Sequence, residues 1–197
     1  MQVQPVVEDL VQERIVFKLF STLRPELDLL NSLGGQGNSY IRLRMKGFNA
    51  VSHVLPHFII TDLDNITCAP ELISKWIDFQ LSDKLLFRIA VREAEAWLLA
   101  DRKNFAKFFG VPVNKIPLYV EQLSDPKEFV VNLARKSRKK GIREDIIPEG
   151  TSKVGAGYNL RMEEFIHFHW NFNEASQSSR SLEKAVLRIK EFLRQKN

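Results

Sequence analysis

The feature that most constrains the fold is a continuous apolar run, His57 to Thr61, that stops abruptly at Asp62-Leu63-Asp64-Asn65. Such a β-branched and aromatic run is typical of a central parallel strand that is covered on both faces. A strand of this kind needs helices on either side, and the rest of the first half alternates strand-like and helical patterns. We therefore predict an α/β protein with a largely parallel central sheet flanked by helices.

Neighbouring segments are interpreted by the same periodicities. A short apolar run ends at Val7, Glu8-Asp9 follows, and apolar residues then recur at helical spacing to Leu23, which predicts strand, acidic turn and helix. Residues 32–39 are expected to form a glycine-containing loop. The alternation over Ser39 to Met45 predicts a strand with one buried face. Further predictions are short helices over 48–55 and 70–77, a strand over 85–91, and helices over 93–100 and 102–109 that end at Gly110.

The chain changes character after Pro117. Asp125-Pro126 is typical of a helix start, residues 146–158 contain proline and glycine and are expected to be a loop, and 162–170 are predicted to be helical. A final helix opens at Ser181, with one apolar stripe along it. We predict a core over residues 1–115, and over residues 116–197 a basic loop and a helical C-terminal extension packed on that core.

Composition narrows the class of protein. With 44% apolar and 27% charged residues the chain resembles an ordinary globular protein. No segment reads as a signal peptide or is long enough to span a bilayer, so we expect a cytoplasmic protein without a membrane partner. Cys68 is the single cysteine, which excludes an intrachain disulfide and a cysteine zinc cage.

Positive charge is concentrated in one stretch. The net charge is +5, and much of the excess lies between Arg135 and Arg143. Such a cluster suits the neutralisation of phosphates, although blocks of like charge also occur on solvated loops. We predict contacts with nucleic acid, DNA or RNA, from Lys127, Arg135, Lys136, Arg138, Lys139 and Lys140.

Acidic residues follow two of the predicted strands. Glu8 follows the first strand, and Asp62 and Asp64 follow the central one. The carboxyl ends of parallel strands meet at one edge of a sheet, and residues two apart in an extended segment project to the same side. Carboxylates arranged in this way suit Mg²⁺. Taken alone, each motif could equally be a turn or a set of acids favoured by a helix dipole, and the combination favours the metal site.

These residues resemble the TOPRIM domain, the nucleotidyl-transfer and hydrolysis fold of topoisomerases, primases and OLD-type nucleases. Its pattern is a glutamate after the first strand and an Asp-x-Asp after a later hydrophobic strand, which Glu8 and Asp62-Leu63-Asp64 match in order. More narrowly, residues 89–101, 125–128 and 155–159 are similar to a small prokaryotic TOPRIM-like family of unknown function, often found beside RecF- or SMC-like ATPases in anti-phage operons. One departure is Asp9, where TOPRIM domains commonly have glycine.

The resemblance implies a metal-dependent nuclease. Glu8, Asp62 and Asp64 would hold one or two Mg²⁺ or Mn²⁺ ions and hydrolyse phosphodiester bonds of DNA or RNA. The protein would then be the effector of an anti-phage defence system under the control of a partner ATPase. The alternative is a non-catalytic or silent TOPRIM-like subunit that mainly binds such an ATPase or nucleic acid, with the final helix and the aromatic segment 165–172 as docking surfaces.

Glu93 and Glu95 are further candidates for the catalytic site. Residues two apart on a continuous helix do not share a face, so both can point into the site only if Glu93 still belongs to the end of the preceding strand. We expect one of them to be a metal ligand or a base, and the alternative is that both are acids of a first helical turn. His167 and His169 have the same spacing, and packing or surface roles are expected for them.

Overall fold

A computed structural model describes residues 1–194 as a five-stranded sheet with helices on both faces. The strand order is β2-β1-β4-β5, and β3 also pairs with β1. All of these pairs are parallel. The predicted α/β class with a largely parallel sheet is confirmed, and the arrangement is consistent with a TOPRIM-like fold. The strands are β1 (Gln2–Val7), β2 (Asp28–Leu29), β3 (Leu33–Gly34), β4 (His57–Asp62) and β5 (Leu85–Ala90).

Ten α-helices lie within the same residues. None of them is long and apolar enough to cross a membrane. Two short 3-10 turns, at Val113–Lys115 and Val120–Gln122, connect the two halves of the chain. The helices are α1 (Leu10–Leu23), α2 (Asn38–Ser52), α3 (Ala69–Trp76), α4 (Ala94–Leu99), α5 (Arg102–Phe109), α6 (Pro126–Ala134), α7 (Lys140–Ile146), α8 (Tyr158–Phe168), α9 (Phe172–Ser176) and α10 (Arg180–Arg194).

Strand β4 lies at the centre of the sheet, between β1 and β5, and all six of its residues are buried. This burial on both faces confirms the interpretation of the apolar run. The register pairs Val6 of β1 with Ile59, and Asp62 with Ala90 of β5. The carboxyl ends of β1, β4 and β5 therefore meet at one edge of the sheet.

Each face of the sheet has its own hydrophobic core. On one face Val6, Ile59 and Phe87 pack with residues of α2 and α3. On the other face Val7, Phe58 and Ile60 pack with α1 and with helices of the second half of the chain, among them α8 and α10. Residues 116–194 therefore cover one face of the sheet that residues 1–115 form.

The prediction of a strand over Ser39 to Met45 is wrong, because these residues belong to α2. Ile41, Met45 and Phe48 are buried at helical spacing, whereas Leu43 is 80% exposed. Apolar residues two apart fit either periodicity within a short window, and Leu43 lies outside the apolar stripe of the helix. The short helix predicted over 48–55 is the second half of the same helix.

Most other elements agree with the sequence. The strand over 85–91, the helix over 70–77 and the helix over 102–109 correspond to β5, α3 and α5. Gly110 ends α5 in the left-handed conformation, at a φ of 67°, as expected of a C-terminal glycine. The predicted helix start at Asp125 is confirmed, because its side chain accepts a hydrogen bond from the Glu128 amide. Part of the basic stretch, from Lys140, is helical in α7.

Candidate active site

Glu8 connects the ends of β1 and β4. Its Oε1 accepts a hydrogen bond of 2.8 Å from the Asp62 amide and a further one from the Thr61 hydroxyl. The Glu8 amide in turn donates to Gln12 Oε1 at 2.8 Å. Glu8 follows β1 directly, and its partners Thr61 and Asp62 lie at the end of β4. The sheet register therefore places the Glu8 carboxylate at the predicted edge.

Asp62 is 7% exposed and connects two helices. Its Oδ1 accepts a hydrogen bond of 2.9 Å from Gln12 Nε2 on α1 and another of 2.9 Å from the Ala94 amide at the start of α4. Within residues 1–194 its Oδ2 accepts none. One oxygen of Asp62 therefore serves the fold, and the other is free for a ligand.

Asp64 departs from the geometry that the sequence predicted. Its φ is 49°, in the left-handed region, so the extended conformation expected over Asp62-Leu63-Asp64 does not include Asp64. Its Oδ2 accepts a hydrogen bond from Asn38 Nδ2 at 2.9 Å, and its carbonyl accepts one from Arg92 at 3.1 Å. Asp62 and Asp64 thus have different hydrogen-bond partners.

Asp9 occupies the position where the TOPRIM pattern has glycine. Its φ is −149°, an extended conformation open to any residue, and its Oδ1 caps α1 by accepting a hydrogen bond of 2.9 Å from the Gln12 amide. The turn after Glu8 therefore has no need of glycine.

Glu93 and Glu95 both contact Lys127. Glu93 precedes α4 in an extended conformation, and its Oε2 accepts a hydrogen bond of 2.8 Å from the Lys127 amide. The Lys127 ammonium is 3.4 Å from Glu95 Oε1 and also 3.4 Å from Asp9 Oδ2. Tyr158 donates to the same Glu95 oxygen at 3.0 Å. Glu93 does not belong to the end of β5, which ends at Ala90. It is the N-cap residue of α4, and from that position it contacts Lys127, as Glu95 also does.

Burial dominates the electrostatics of this group. It raises the pKa of Glu8 to about 7, with Asp64 adding to the effect and the hydrogen bonds from Thr61 and Asp62 opposing it. Burial also raises the pKa of Glu93 to about 7. The pKa values of Asp62 and Glu95 are raised by burial as well, and Glu95 and Glu8 add to the shift at Asp62. The negative charge of these buried carboxylates is therefore not fully compensated by nearby cations.

Lys127 is the cation that the fold supplies to them. Burial by itself would lower the pKa of Lys127, but Glu95 and the neighbouring carboxylates outweigh that effect and hold the pKa above its usual range. One ammonium does not satisfy the whole group, because the buried Glu95 Oε2 has no hydrogen-bond partner within residues 1–194. An unsatisfied buried carboxylate oxygen is costly unless a proton or a cation compensates it.

The carboxylates match the chemistry of a hard cation, but they are not arranged as a preformed cage. Mg²⁺ and Mn²⁺ favour carboxylate oxygens, and Asp62 Oδ2 and Glu95 Oε2 are free of protein donors. Within the part of the chain that the structure describes, no three His, Cys, Asp or Glu side chains are grouped closely enough to hold a metal ion. A cation at this edge would therefore take one or two carboxylates at a time and complete its coordination with water or phosphate oxygens.

A cavity of about 440 Å³ opens beside the group, lined by Glu93, Asp125, Lys127, Glu128 and Lys153. Lys127 was predicted to contact nucleic acid, and it lies among the acids at this opening. Lys153, an exposed residue of the loop before α8, had not been identified from the sequence. The cavity gives a substrate access to Glu93 and Lys127 from solvent.

The other predicted basic residues lie at the far end of α6. Arg135, Lys136, Arg138, Lys139 and Lys140 are exposed, and among residues 1–194 only Lys140 of these has an acidic partner, Glu144 at 3.3 Å. Since α6 has nine residues, its two ends are about 13 Å apart along the helix axis. The structure thus brings Lys127 to the acidic group and leaves the basic stretch separate from it.

Several residues of the site carry no sequence signal of their own. Gln12, Thr61 and Tyr158 contact the acids, but they lie in α1, in β4 and at the start of α8, where the sequence shows only ordinary structural patterns. Tyr158 does lie within the third segment of the narrower family resemblance, and that is the one signal that could have identified it. His167 and His169 are exposed, as expected for surface residues.

The proposed docking surfaces are largely buried in the chain itself. The apolar stripe of α10 packs in the core, and so do three aromatic residues of the segment 165–172, namely Phe165, Trp170 and Phe172. Phe168 and Leu187 are exposed, at 72% and 51%. A partner would therefore contact other residues than those of the stripe.

Comparison of the chain with protein family models, with curated proteins and with solved structures finds no match. The residues of the site are therefore the basis on which its function is inferred.

Proposed function

We propose that the protein is a Mg²⁺- or Mn²⁺-dependent nuclease of the TOPRIM type that hydrolyses phosphodiester bonds of DNA or RNA. The observation that supports this proposal is the convergence of Glu8, Asp62 and the Glu93/Glu95 pair on one edge of a parallel sheet, where strand ends commonly carry reactive groups. Carboxylates with raised pKa values at such an edge are candidates for a functional site.

Glu8, Asp62, Asp64 and Glu95 are the carboxylates proposed to hold the cation, one or two of them at a time, with water or phosphate oxygens as its other ligands. A bound Mg²⁺ or Mn²⁺ would supply Lewis-acid stabilisation of the charge on a phosphodiester. Asp62 is held by the hydrogen bonds from Gln12 and Ala94 to its Oδ1, which leaves its second oxygen free of protein donors. This arrangement suits a ligand that keeps the same position before and after a substrate binds.

Glu93 and Lys127 are proposed to act on the substrate from the other side of the group. A carboxylate with a pKa of about 7 can give or take a proton near neutral pH, which suits Glu93 to the role of general acid or base. Lys127 would offset the charge of a phosphate that enters the cavity beside it. The exposed residues between Arg135 and Lys140 would hold the neighbouring phosphates.

Control by a RecF- or SMC-like ATPase in anti-phage defence remains part of the proposal on the strength of the sequence resemblance. The alternative, a silent subunit that binds an ATPase or nucleic acid, is favoured by one observation. The acids do not form a preformed metal cage within the described residues. A site of this kind would need a partner or a substrate to complete it.

The proposal is tested by incubating the purified protein with DNA and RNA substrates and Mg²⁺ or Mn²⁺. We expect cleavage, and we expect Asp62→Asn and Glu8→Gln each to lower its rate on the order of 100-fold or more, as the loss of a metal ligand does. Asp83→Asn is the matched control, because Asp83 is exposed and distant from this edge. Equal cleavage by Asp62→Asn, Glu8→Gln and the control would contradict the proposal.

Calorimetry with Mn²⁺ separates the two alternatives. Cation binding that both variants lose, without cleavage by the isolated protein, would favour the silent subunit. Co-expression with a RecF- or SMC-like ATPase would then show whether a partner restores activity. Absence of both cation binding and cleavage, with the ATPase present as well as without it, would rule out the nuclease.

A further inference from the structure

Strand β5 is the edge strand of the sheet, and within residues 1–194 its outer side is unpaired at Phe87 and Ile89, although most of its residues are buried. It pairs with β4 on one side only, and it is the last strand of the sheet order. The edge faces a groove of about 340 Å³ between α3 and α10. This volume lies within the range of ligand pockets. An open strand edge next to a groove is a place where an extended peptide can pair.

Phe87 and Ile89 of β5 direct their backbone groups toward the groove, whereas the neighbouring residues bond to β4. The carbonyls of Lys84 and Ala90 accept hydrogen bonds from residues of the β4 side, at 3.0 Å and 2.9 Å. Hydrogen bonding alternates along a parallel strand pair, so even-numbered residues of β5 bond to β4 and odd-numbered ones face the edge. Phe87 and Ile89 therefore present two N–H groups and two carbonyls. No residue among 1–194 pairs with these groups outside the sheet.

The groove is apolar on one side and positively charged on the other. Pro70 and Ile73 of α3 are exposed along it, next to Phe87 and Ile89. Arg180 and Lys184 of α10 are exposed on the opposite side. Glu121, the acid in this lining, accepts hydrogen bonds from Ser179 and Ser181 and so is already engaged.

Arg88 lies between Phe87 and Ile89 and points to the other face of the strand, toward α10. Its Nε is buried, and its guanidinium donates no hydrogen bond to residues 1–194. Burial lowers the pKa of Arg88, with Arg188 adding to the shift and Glu191 partly opposing it. A desolvated guanidinium of this kind is stabilised by a carboxylate, which can accept two parallel hydrogen bonds from it.

We propose that the edge of β5 binds an extended peptide segment as an additional strand, with an acidic residue beside Arg88 and apolar residues on either side of it. A side chain directly across from Arg88 in a paired strand lies about 5 Å away on the same face, within reach of its guanidinium. The flanking side chains lie on the opposite face, next to Phe87, Ile89 and Ile73. The pattern of the ligand is therefore apolar, acidic, apolar.

A second copy of the chain is a poorer occupant of the same edge. If two β5 edges paired with each other in antiparallel register about Arg88, the two guanidinium groups would face each other. Like charges directly opposite are destabilising in a strand pair. Arg180 and Lys184 would add further positive charge from both copies. The charge of the groove therefore favours an acidic partner peptide over a homodimer.

The probe is a fluorescein-labelled peptide of sequence Thr-Val-Asp-Val-Thr with blocked ends, titrated with the full chain and followed by anisotropy. We expect saturable binding with a Kd below about 1 mM. A Thr-Val-Lys-Val-Thr peptide is expected to bind at least 10-fold more weakly, because it loses a charge-assisted hydrogen bond. The peptide N-methylated at its three central residues is also expected to bind weakly, since it cannot donate to the strand edge. Equal binding of all three peptides would overturn the proposal.

Substitutions in the protein show where the peptide binds. Arg88→Met keeps the length of the aliphatic stem and is expected to weaken the acidic peptide about 10-fold. Arg42→Met is the matched control on α2, where Arg42 is exposed. If Arg88→Met does not fold, judged by circular dichroism, the exposed pair Arg180→Glu/Lys184→Glu replaces it, with the same weakening expected.

Amide NMR signals report the backbone pairing directly. On addition of the acidic peptide, we expect the amides of Phe87 and Ile89 to shift and to gain protection from hydrogen exchange. Protection of these amides without peptide, together with a dimer in analytical ultracentrifugation, would mean that a second copy occupies the edge and would overturn the proposal. Displacement of the peptide by a short oligonucleotide that shifts the same amides would also overturn it, in favour of nucleic acid.

Discussion

At the scale of single residues, Asp62 serves both the fold and the candidate site. Its Oδ1 accepts hydrogen bonds from Gln12 and from the Ala94 amide, and removal of the side chain would leave these buried donors without an acceptor. Each unsatisfied donor costs about 1–3 kcal/mol. Asparagine at this position keeps an oxygen that accepts the two hydrogen bonds. It removes the negative charge, which the neighbouring carboxylates Glu8 and Glu95 repel. Asp62→Asn is therefore the substitution that separates ligand chemistry from folding.

The burial of His57 predicts how the stability of the protein depends on pH. It is buried in β4, its Nδ1 is 2.7 Å from the Leu55 carbonyl, and burial lowers its pKa. Above pH 6.5 the imidazole is neutral in both the folded and the unfolded chain. Below pH 6.5 the unfolded chain binds a proton that the folded chain resists, so stability is lost as the pH falls, by at most about 1.4 kcal/mol per pH unit.

The measurement is the free energy of unfolding in urea between pH 5 and pH 8, for the wild type and for His57→Gln. The raised pKa values of Glu8 and Glu93 favour the folded state at low pH, so the difference between the two proteins is the quantity that counts. We expect the wild type to lose stability relative to His57→Gln as the pH falls below 6.5. His53→Gln, at an exposed position, is the control and should follow the wild type.

At the scale of elements, the loop between β3 and α2 holds the backbone of Glu8. The Gly35 amide donates to the Val7 carbonyl at 3.0 Å, and the Gly37 amide donates to the Glu8 carbonyl at 3.2 Å. The loop also leads directly into Asn38, which holds the side chain of Asp64. A loop was predicted over residues 32–39, but Leu33–Gly34 form β3 and α2 begins at Asn38. The role of this segment as a support for the acidic edge follows from the pairing of β3 with β1.

Gly34, the last residue of β3, is the position next to this loop that has no room for a side chain. Its φ is 113°, and a Cβ atom there would lie 2.0 Å from the Val7 carbonyl oxygen. We expect Gly34→Ala to lower the free energy of unfolding by more than about 2 kcal/mol, because strain and a backbone clash add together. Gly35→Ala is the control, since a Cβ at Gly35 meets nothing within 4 Å and only its positive φ costs about 1 kcal/mol. Urea unfolding compares the two, and equal decreases would contradict this expectation.

At the scale of the whole molecule, charge is separated along α6. The acidic group and Lys127 lie at its first residues, and the exposed residues Arg135 and Lys136 follow its last. A nucleic acid that reaches both would extend over at least the length of the helix, about 13 Å. The basic stretch would then determine the affinity for nucleic acid, and the acidic edge would carry out its hydrolysis.

Salt dependence tests this division. For a labelled single-stranded oligonucleotide, we expect Arg135→Gln/Lys136→Gln to weaken binding and to reduce the slope of log K against log salt by about 1.4, which is about 0.7 for each phosphate that the protein no longer neutralises. The control is Arg42→Gln/Arg44→Gln, which removes the same charge from exposed positions on α2, at the other face of the sheet. An equal change of slope in both variants would mean that only net charge matters.

Local patterns in the sequence determined much of the fold. The unbroken apolar run of β4, the capping carboxylate of Asp125 and the terminal glycine at Gly110 each depend on interactions within a few residues. The positions of Glu8 and Asp62 at one edge follow from the parallel sheet, because such a sheet aligns the ends of its strands. These features were therefore open to prediction without any knowledge of distant contacts.

Only the tertiary structure decided the rest, because it depends on contacts between residues far apart in the chain. Lys127 and Asp9 are 118 positions apart, and Tyr158 and Glu95 are 63 positions apart. Asp64 adopts a left-handed conformation beyond the end of β4, and α2 is helical because its buried stripe faces the sheet. No local periodicity encodes these choices, since packing against distant elements selects between local conformations of similar energy.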